Sequence, residues 1–192
     1  MSALTCEPQE EERWGAFDGL PGDVMMWVLI LSELVAFGLL LGAFVVARAV
    51  NPAVFADGQA TLDGPLAALN TIVLVTSGWA AARAAAAARC ASPRSARRWI
   101  ALAMTLGVAF IAIKLTEYGH EIASGASLES SVFFTLYFLL TGFHLLHVAL
   151  GIVILAVVGR SAAPHGVETG AAFWHMVDLV WIVMFPIVYL VG

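Results

Sequence analysis

Residues 131–151 read SVFFTLYFLLTGFHLLHVALG. The run is apolar over the ~20 residues that a helix needs to cross a bilayer. Its second half nevertheless carries His144 and His147, three positions apart. Residues at i and i+3 share one face of a helix. Two imidazoles on one face of a hydrocarbon-length segment point at protein or water, because ionisable side chains inside membranes rarely face lipid. The pair therefore either binds a cofactor, moves protons or joins helices.

The rest of the chain has the same character. Of 192 residues, 61% are hydrophobic and 12% charged, with a mean hydropathy of +0.91. A soluble domain is nearer half apolar and a quarter charged. The excess identifies an integral membrane protein, and lipid favours α-helical spans because each satisfies its own backbone. The net charge of −5 is concentrated in the amino-terminal tail, at Glu7, Glu10, Glu11 and Glu12, so nucleic acid is excluded as a partner. Cys6 and Cys90 lack metal-ligand spacing and fall on the side expected to be cytoplasmic, where disulfides are rare. Both are expected to be incidental.

Outward from residues 131–151 the chain divides into a tail, residues 1–20, and one membrane domain, residues 21–192. The expected fold is all-α, a polytopic bundle of five transmembrane helices. The first span runs from Val24 to about Ala47 and stops at Arg48 and Asn51-Pro52. A loop is expected next, through the turn formers Asp57-Gly58 and Asp63-Gly64-Pro65. The second span starts near Leu66 and continues into ARAAAAAR, where alanine favours helix and close helix contact. The others run from about Trp99 to Glu121, Val132 to Val158 and Gly170 to Val191.

Arginines set the orientation. Arg83, Arg89, Arg94, Arg97 and Arg98 flank the connection between the second and third spans, and Arg160 lies on the same side; the opposite side has Arg48. The positive-inside rule places the amino terminus in the cytoplasm and the carboxy terminus outside. The tryptophans mostly fall near the inner ends of their spans, as interfacial anchors do.

The helical rise gives approximate depths. Glu33 lies ~14 Å from the inner end of its helix, His147 ~16 Å, Asp178 ~12 Å and His175 ~8 Å, forming a loose inner polar layer. Lys114, ~22 Å in, forms an outer layer with Glu117 and Asn70. Glu33 is the most isolated carboxylate. It is either neutral and hydrogen-bonded to a neighbouring helix or paired, and a proton-handling role or a contact with lipid or a partner subunit remains open. Lys114, Glu117, Tyr118 and Glu121 share a face, where Lys114 and Glu117 can form a structural ion pair. His175 and Asp178 are also spaced i, i+3, so the carboxylate can fix the imidazole's tautomer; a lipid or subunit contact is the alternative.

The rival use of the histidines is b-type haem ligation. His144 and His147 share a helix and cannot bracket one iron. Their candidate partners are His175, shallower than His147 by ~8 Å, and His120 near the other surface, so depths match poorly. A zinc site lacks three or four converging ligands. No phosphate-binding loop, CxxC, GxSxG or HExxH occurs, and the chain alone does not read as a catalyst.

Five stretches, in order, resemble subunit III of the haem-copper oxidases. They are MWVLILSELVAFGLLLGAF (26–44), LNTIVLVTSG (69–78), IKLTEYGHEI (113–122), FFTLYFLLTGFHLLHVALGI (133–152) and FWHMVDLVWIVMFPIVYL (173–190). The combination of TGFHxLHV with WHxVDxVWxxxFPxVYL is more specific than any pair within it. The resemblance covers about residues 21–191 and implies the short, five-helix form, which binds no redox centre of its own. It lacks the two-helix arm that builds a phospholipid cleft in longer subunits; phospholipid is nonetheless an expected neighbour. Glu33 matches the carboxylate of the family's SE motif, and Glu117, His144, His147, His175 and Asp178 match its other embedded polar positions. Lys114 stands where many oxidase subunits carry glutamine, and residues 124–131 lack a DGVYGS-like segment. The FFTLYFLLTG wording, K-x-x-E-Y and the short length are more similar to the NorE branch associated with nitric oxide reductase gene clusters.

The resemblance implies an accessory, non-redox subunit in a bacterial inner membrane. Its partner would be the catalytic subunit of a haem-copper oxidase or nitric oxide reductase, which would hold haem with copper or non-haem iron. Its role would be assembly, stability and proton-coupled turnover of that subunit in aerobic or denitrifying electron transport. The rival classes are a stand-alone b-type cytochrome and a small proton-coupled transporter built on Glu33.

Overall fold

The structure is a computed structural model and describes residues 24–191. The expected tail, residues 1–20, with Trp14 and Cys6, lies outside the described residues. Five long apolar helices are present, as the hydropathy pattern requires. They are α1 (Val24–Val50), α3 (Gly64–Arg89), α4 (Pro93–Ala123), α5 (Val132–Ser161) and α6 (Pro164–Phe185). A short helix, α2 (Pro52–Thr61), joins α1 to α3.

Helix α2 replaces the expected loop. Asn51-Pro52 does not simply end structure, because Pro52 sits at the first turn, where its missing N–H is not needed. Gly58 lies within the helix and packs where a Cβ would overlap the Phe133 ring. Phe55 fills the rest of the contact, with ring centroids 5.0 Å from Phe44 and 5.4 Å from Phe133. Helix α2 is thus an apolar plug across the ends of α1 and α5, which defines the α2 end of the bundle. The opposite, arginine end holds the α3–α4 and α5–α6 connections.

Helix α6 is the central element, packed against α3, α5 and α1, while α1 is peripheral. The alanine run of α3 is buried at Ala80, Ala81, Ala84, Ala85, Ala87 and Ala88. Small side chains let α3 lie close to α4, which presents Ala96, Ile100 and Ala103 to the core. Gly107 of α4 and Gly151 of α5 make room for Trp174 of α6, whose ring lies where a Cβ on either glycine would intrude.

Trp174 and Trp181 are buried rather than interfacial, correcting the anchor reading for both. Each indole N–H reaches a hydroxyl of α3: Trp174 donates to Ser77 (3.1 Å) and Trp181 to Thr71 (2.9 Å). Trp79 and Trp99 do lie at the arginine end, edge to face at 5.1 Å, with Arg83 over Trp99. There Arg97 donates to the carbonyls of Gly159 and Arg160, closing the end of α5, and Arg89 pairs with Glu168 at 2.6 Å. Cys90 ends α3 as its cap, its backbone N–H donating to the carbonyl of Ala86 at 3.3 Å.

The last span changes pitch at Pro186. Residues Pro186–Leu190 form a wider turn, in which the N–H of Val191 donates to the carbonyl of Pro186, five residues back. Gln59 of α2 donates to the carbonyls of Val188 (2.7 Å) and Val191 (3.0 Å), fastening this segment to α2.

Candidate functional site

The polar side chains that the sequence places in the membrane separate into three groups. The first is a buried cage at the α2 end. Lys114 of α4 is fully buried, and Glu117, one turn on, is 2% exposed. The Lys114 ammonium donates to Glu117 Oε1 (2.9 Å), to Tyr137 Oη of α5 (3.0 Å) and to Tyr189 Oη of the final turn. These three acceptors satisfy its three hydrogens. Both phenols donate in turn to Glu117 Oε1, at 2.6 Å from Tyr137 and 2.5 Å from Tyr189. The ring faces of Tyr118 and Trp181 lie 5.3 and 5.4 Å from the ammonium and shield it further. The expected Lys114–Glu117 ion pair is therefore present, but its two phenolic partners come from other helices and are not indicated by the spacing within α4. Tyr118 joins α4 to α5 separately, with its hydroxyl 2.6 Å from that of Thr141.

The second group joins α1 to α5. Glu33 Oε2 lies 2.9 Å from His147 Nε2, while His147 Nδ1 lies 2.8 Å from the carbonyl of Phe143. A carbonyl can only accept, so Nδ1 carries a proton and the Nε2–Oε2 contact holds one more. That proton resides on the imidazole or on the carboxyl, and the pair is neutral overall in either case. Glu33 is thus the hydrogen-bonded carboxylate expected, with His147 as partner. Its side chain is 25% exposed, so the pair sits at the edge of the bundle. Phe37 and Phe143 pack on the His147 ring at 5.2 and 4.5 Å.

The third group lies along α6. His144 of α5 is 1% exposed and its Nε2 donates to the carbonyl of Val177 (3.1 Å). Phe110 and Trp181 enclose its ring at 5.7 and 5.1 Å. His175 Nδ1 lies 3.7 Å from Asp178 Oδ2, a loose version of the expected pair, and this carboxylate lies against Gly78 of α3, where any Cβ would overlap it. The expected single inner layer is therefore divided between the α1–α5 seam and the α3–α6 contact.

These positions bear on ligand chemistry. His147 has both ring nitrogens in use, and His144 faces a carbonyl with its Nε2. His147 would have to leave a partner to reach a haem iron, whereas His144 keeps Nδ1 without a protein partner, buried in the core. Among the described residues, no three His, Cys, Asp or Glu side chains converge as a metal-ligand set. What the arrangement does is join helices: α4 to α5 and the last turn through the cage, α1 to α5 through Glu33–His147, and α5 to α6 through His144.

A sequence profile described as "Cytochrome c oxidase subunit III" matches residues 18–192. Cytochrome c oxidase subunit 3 of Synechocystis sp. is 33% identical over 180 residues, covering 88% of this chain and 76% of that protein. Cytochrome bo(3) ubiquinol oxidase subunit 3 of Pseudomonas aeruginosa is 28% identical, covering 86% and 83%. Quinol oxidase subunit 3 of Bacillus spizizenii is 28% identical, covering 86% and 85%. The match extends through all five spans and takes in each of the polar groups above. The chain belongs to the cytochrome c oxidase subunit III family.

Proposed function

We propose that this chain is the non-redox third subunit of a bacterial respiratory oxidase, packed beside a catalytic subunit that holds the haem and copper. The observation that carries the reading is the family match from residue 18 to residue 192, which spans every membrane helix. The arginine end faces the cytoplasm in this reading, and the carboxy terminus is periplasmic. Residues 21–192 act as one membrane domain behind a cytoplasmic tail. The chain's part is to hold the catalytic subunit in its active assembly and to sustain its proton-coupled turnover. The weakly packed α1, with exposed Val28, Leu31, Val35, Leu39 and Val46, meets lipid or that partner.

Purification of the complex from cells with and without this chain tests the proposal. The expected result is a catalytic subunit that is recovered in lower yield, or inactivates faster during turnover, when the chain is missing. Unchanged assembly, activity and lifetime would overturn it.

A second reading, in which the partner is a nitric oxide reductase, is favoured by the Lys114-x-x-Glu117-Tyr118 pattern, whose lysine replaces the glutamine of many oxidase subunits. The metal content of the co-purified catalytic chain separates the two. Copper beside haem supports the oxidase, and non-haem iron supports the reductase.

A further inference from the structure

The cage at the α2 end has an opening. A pocket of about 250 Å³ lies between the start of α3 and the end of α4, lined by Asp63, Leu66, Thr116, Glu117, His120 and Glu121. Asp63 and His120 are exposed and form its mouth, whereas Glu117 and Glu121 are each 2% exposed and form its floor. Asp63 is fixed there as the cap of α3, its Oδ1 accepting from the N–H of Leu66 at 2.9 Å.

One oxygen of each floor carboxylate lacks a donor. Glu117 Oε1 accepts from Lys114, Tyr137 and Tyr189, but Glu117 Oε2 has no protein partner. Glu121 Oε2, one turn further along the same face, has none either. The Lys114 ammonium and both phenols already donate within the cage. Buried carboxylate oxygens normally have partners, and here the protein supplies a pocket in place of a donor. At ~30 Å³ of liquid volume per molecule, such a pocket is roomy enough for several waters.

We propose that this pocket is a water-filled proton-exchange site in which Glu121 carries protons between the aqueous surface at the α2 end and the buried Lys114–Glu117–Tyr137–Tyr189 cage. A hydronium in the mouth gives its proton to Glu121 Oε2 and leaves as water. Rotation of the Glu121 carboxyl then presents that proton to Glu117 Oε2, the oxygen the cage leaves free, and Glu121 is returned to its ionised form. The reverse order releases the proton. The groups facing Glu121 are Lys114, Glu117 and His120 from its own helix and the Thr61 hydroxyl at the end of α2, with Asp63 from the start of α3 in the same pocket. The site lies at the opposite end of α5 from Arg160 and is separate from the Glu33–His147 seam.

Carbodiimides modify protonated carboxyl groups, so they report both access and protonation. Membranes holding the full chain in its complex, opened so that both faces are wetted, are treated with a water-soluble carbodiimide and an amine nucleophile. Peptide mass spectrometry then locates the adducts. The expected adduct is on Glu121, is lost as the pH rises and is weakened in Asp63→Asn, which removes a negative charge that draws protons into the mouth. Labelling of Asp63 without Glu121 overturns the proposal, because the floor is then sealed. Labelling of Glu121 only by a lipid-soluble carbodiimide also overturns it, because the pocket then opens to lipid. As a second measurement, infrared spectra should show a protonated-carboxyl band that shifts at once in D2O and is absent in Glu121→Gln. A band that persists in that variant, or shifts only over hours, counts against the site. None of these readouts depends on which catalytic subunit is present, so they stand or fall apart from the assembly reading.

Discussion

The Lys114 cage and the Glu33–His147 pair are both acid–base contacts between helices, yet they are built on opposite terms. In the cage, four side chains from three separate segments satisfy every hydrogen of a fully buried ammonium, and the charge has no route to lipid. In the pair, two groups share a proton at the rim of the bundle, and the Glu33 side chain is partly exposed. Removing Lys114 or Glu117 from the cage would leave the other buried without its counter-charge. The pair can neutralise itself by moving one proton, and so tolerates damage. Burial and satisfaction, more than the presence of charge, set what each contact is worth.

Breaking the cage should therefore have the largest effect. Lys114→Met takes the cation away from the buried Glu117 carboxyl, and a loss of about 3–5 kcal/mol is expected. That loss would be seen as aggregation or early thermal unfolding of the solubilised chain by tryptophan fluorescence. Adding Glu117→Leu to that variant should restore most of the loss, because no lone charge then remains. Tyr137→Phe removes one donor to Glu117 and one acceptor from Lys114, and should lower stability by about 1.5–3 kcal/mol in the same assay.

The pair should prove milder. Glu33→Gln keeps a donor for His147 Nε2, and a change below about 1 kcal/mol is expected in the melting curve. A collapse there as large as that of Lys114→Met would erase the contrast. Arg89→Ala removes the exposed Arg89–Glu168 contact at the arginine end and should cost between zero and about 1 kcal/mol, fading further in high salt. The ordering Lys114, Tyr137, Glu33, Arg89 is the comparison in measurable form.

The five spans were legible because hydrocarbon length and composition leave few alternatives. Spacing along a single helix was also legible, which is why Lys114–Glu117 and His175–Asp178 could be paired in advance. Contacts between helices were not. Nothing in residues 133–138 or 185–190 says that Tyr137 and Tyr189 meet one ammonium. The signal the sequence does carry is depth, since each phenol lies within about two turns of the α2 end of its own span. Helix α2 is hidden in the sequence for a different reason. Asn51-Pro52 and Asp57-Gly58 are turn signals read locally, but Pro52 serves equally as a helix start, and Gly58 is required by the closeness of Phe133. Trp174 and Trp181 resemble anchors because tryptophan usually stays at the interface, whereas Ser77 and Thr71 give their indoles partners in the core.

The Gln59 clamp on the final turn has a consequence in time. Chains are made from the amino terminus onward, so Lys114 and Glu117 enter the membrane with α4, two spans ahead of Tyr189. Tyr137 arrives with α5, and the third acceptor comes only when α6 is inserted and Gln59 can grip the carbonyls of Val188 and Val191. Until then a lysine waits in the bilayer one acceptor short. A ribosome halted before residue 189 leaves that defect in place, and the finished cage is a chemical record that the last turn of the bundle has arrived.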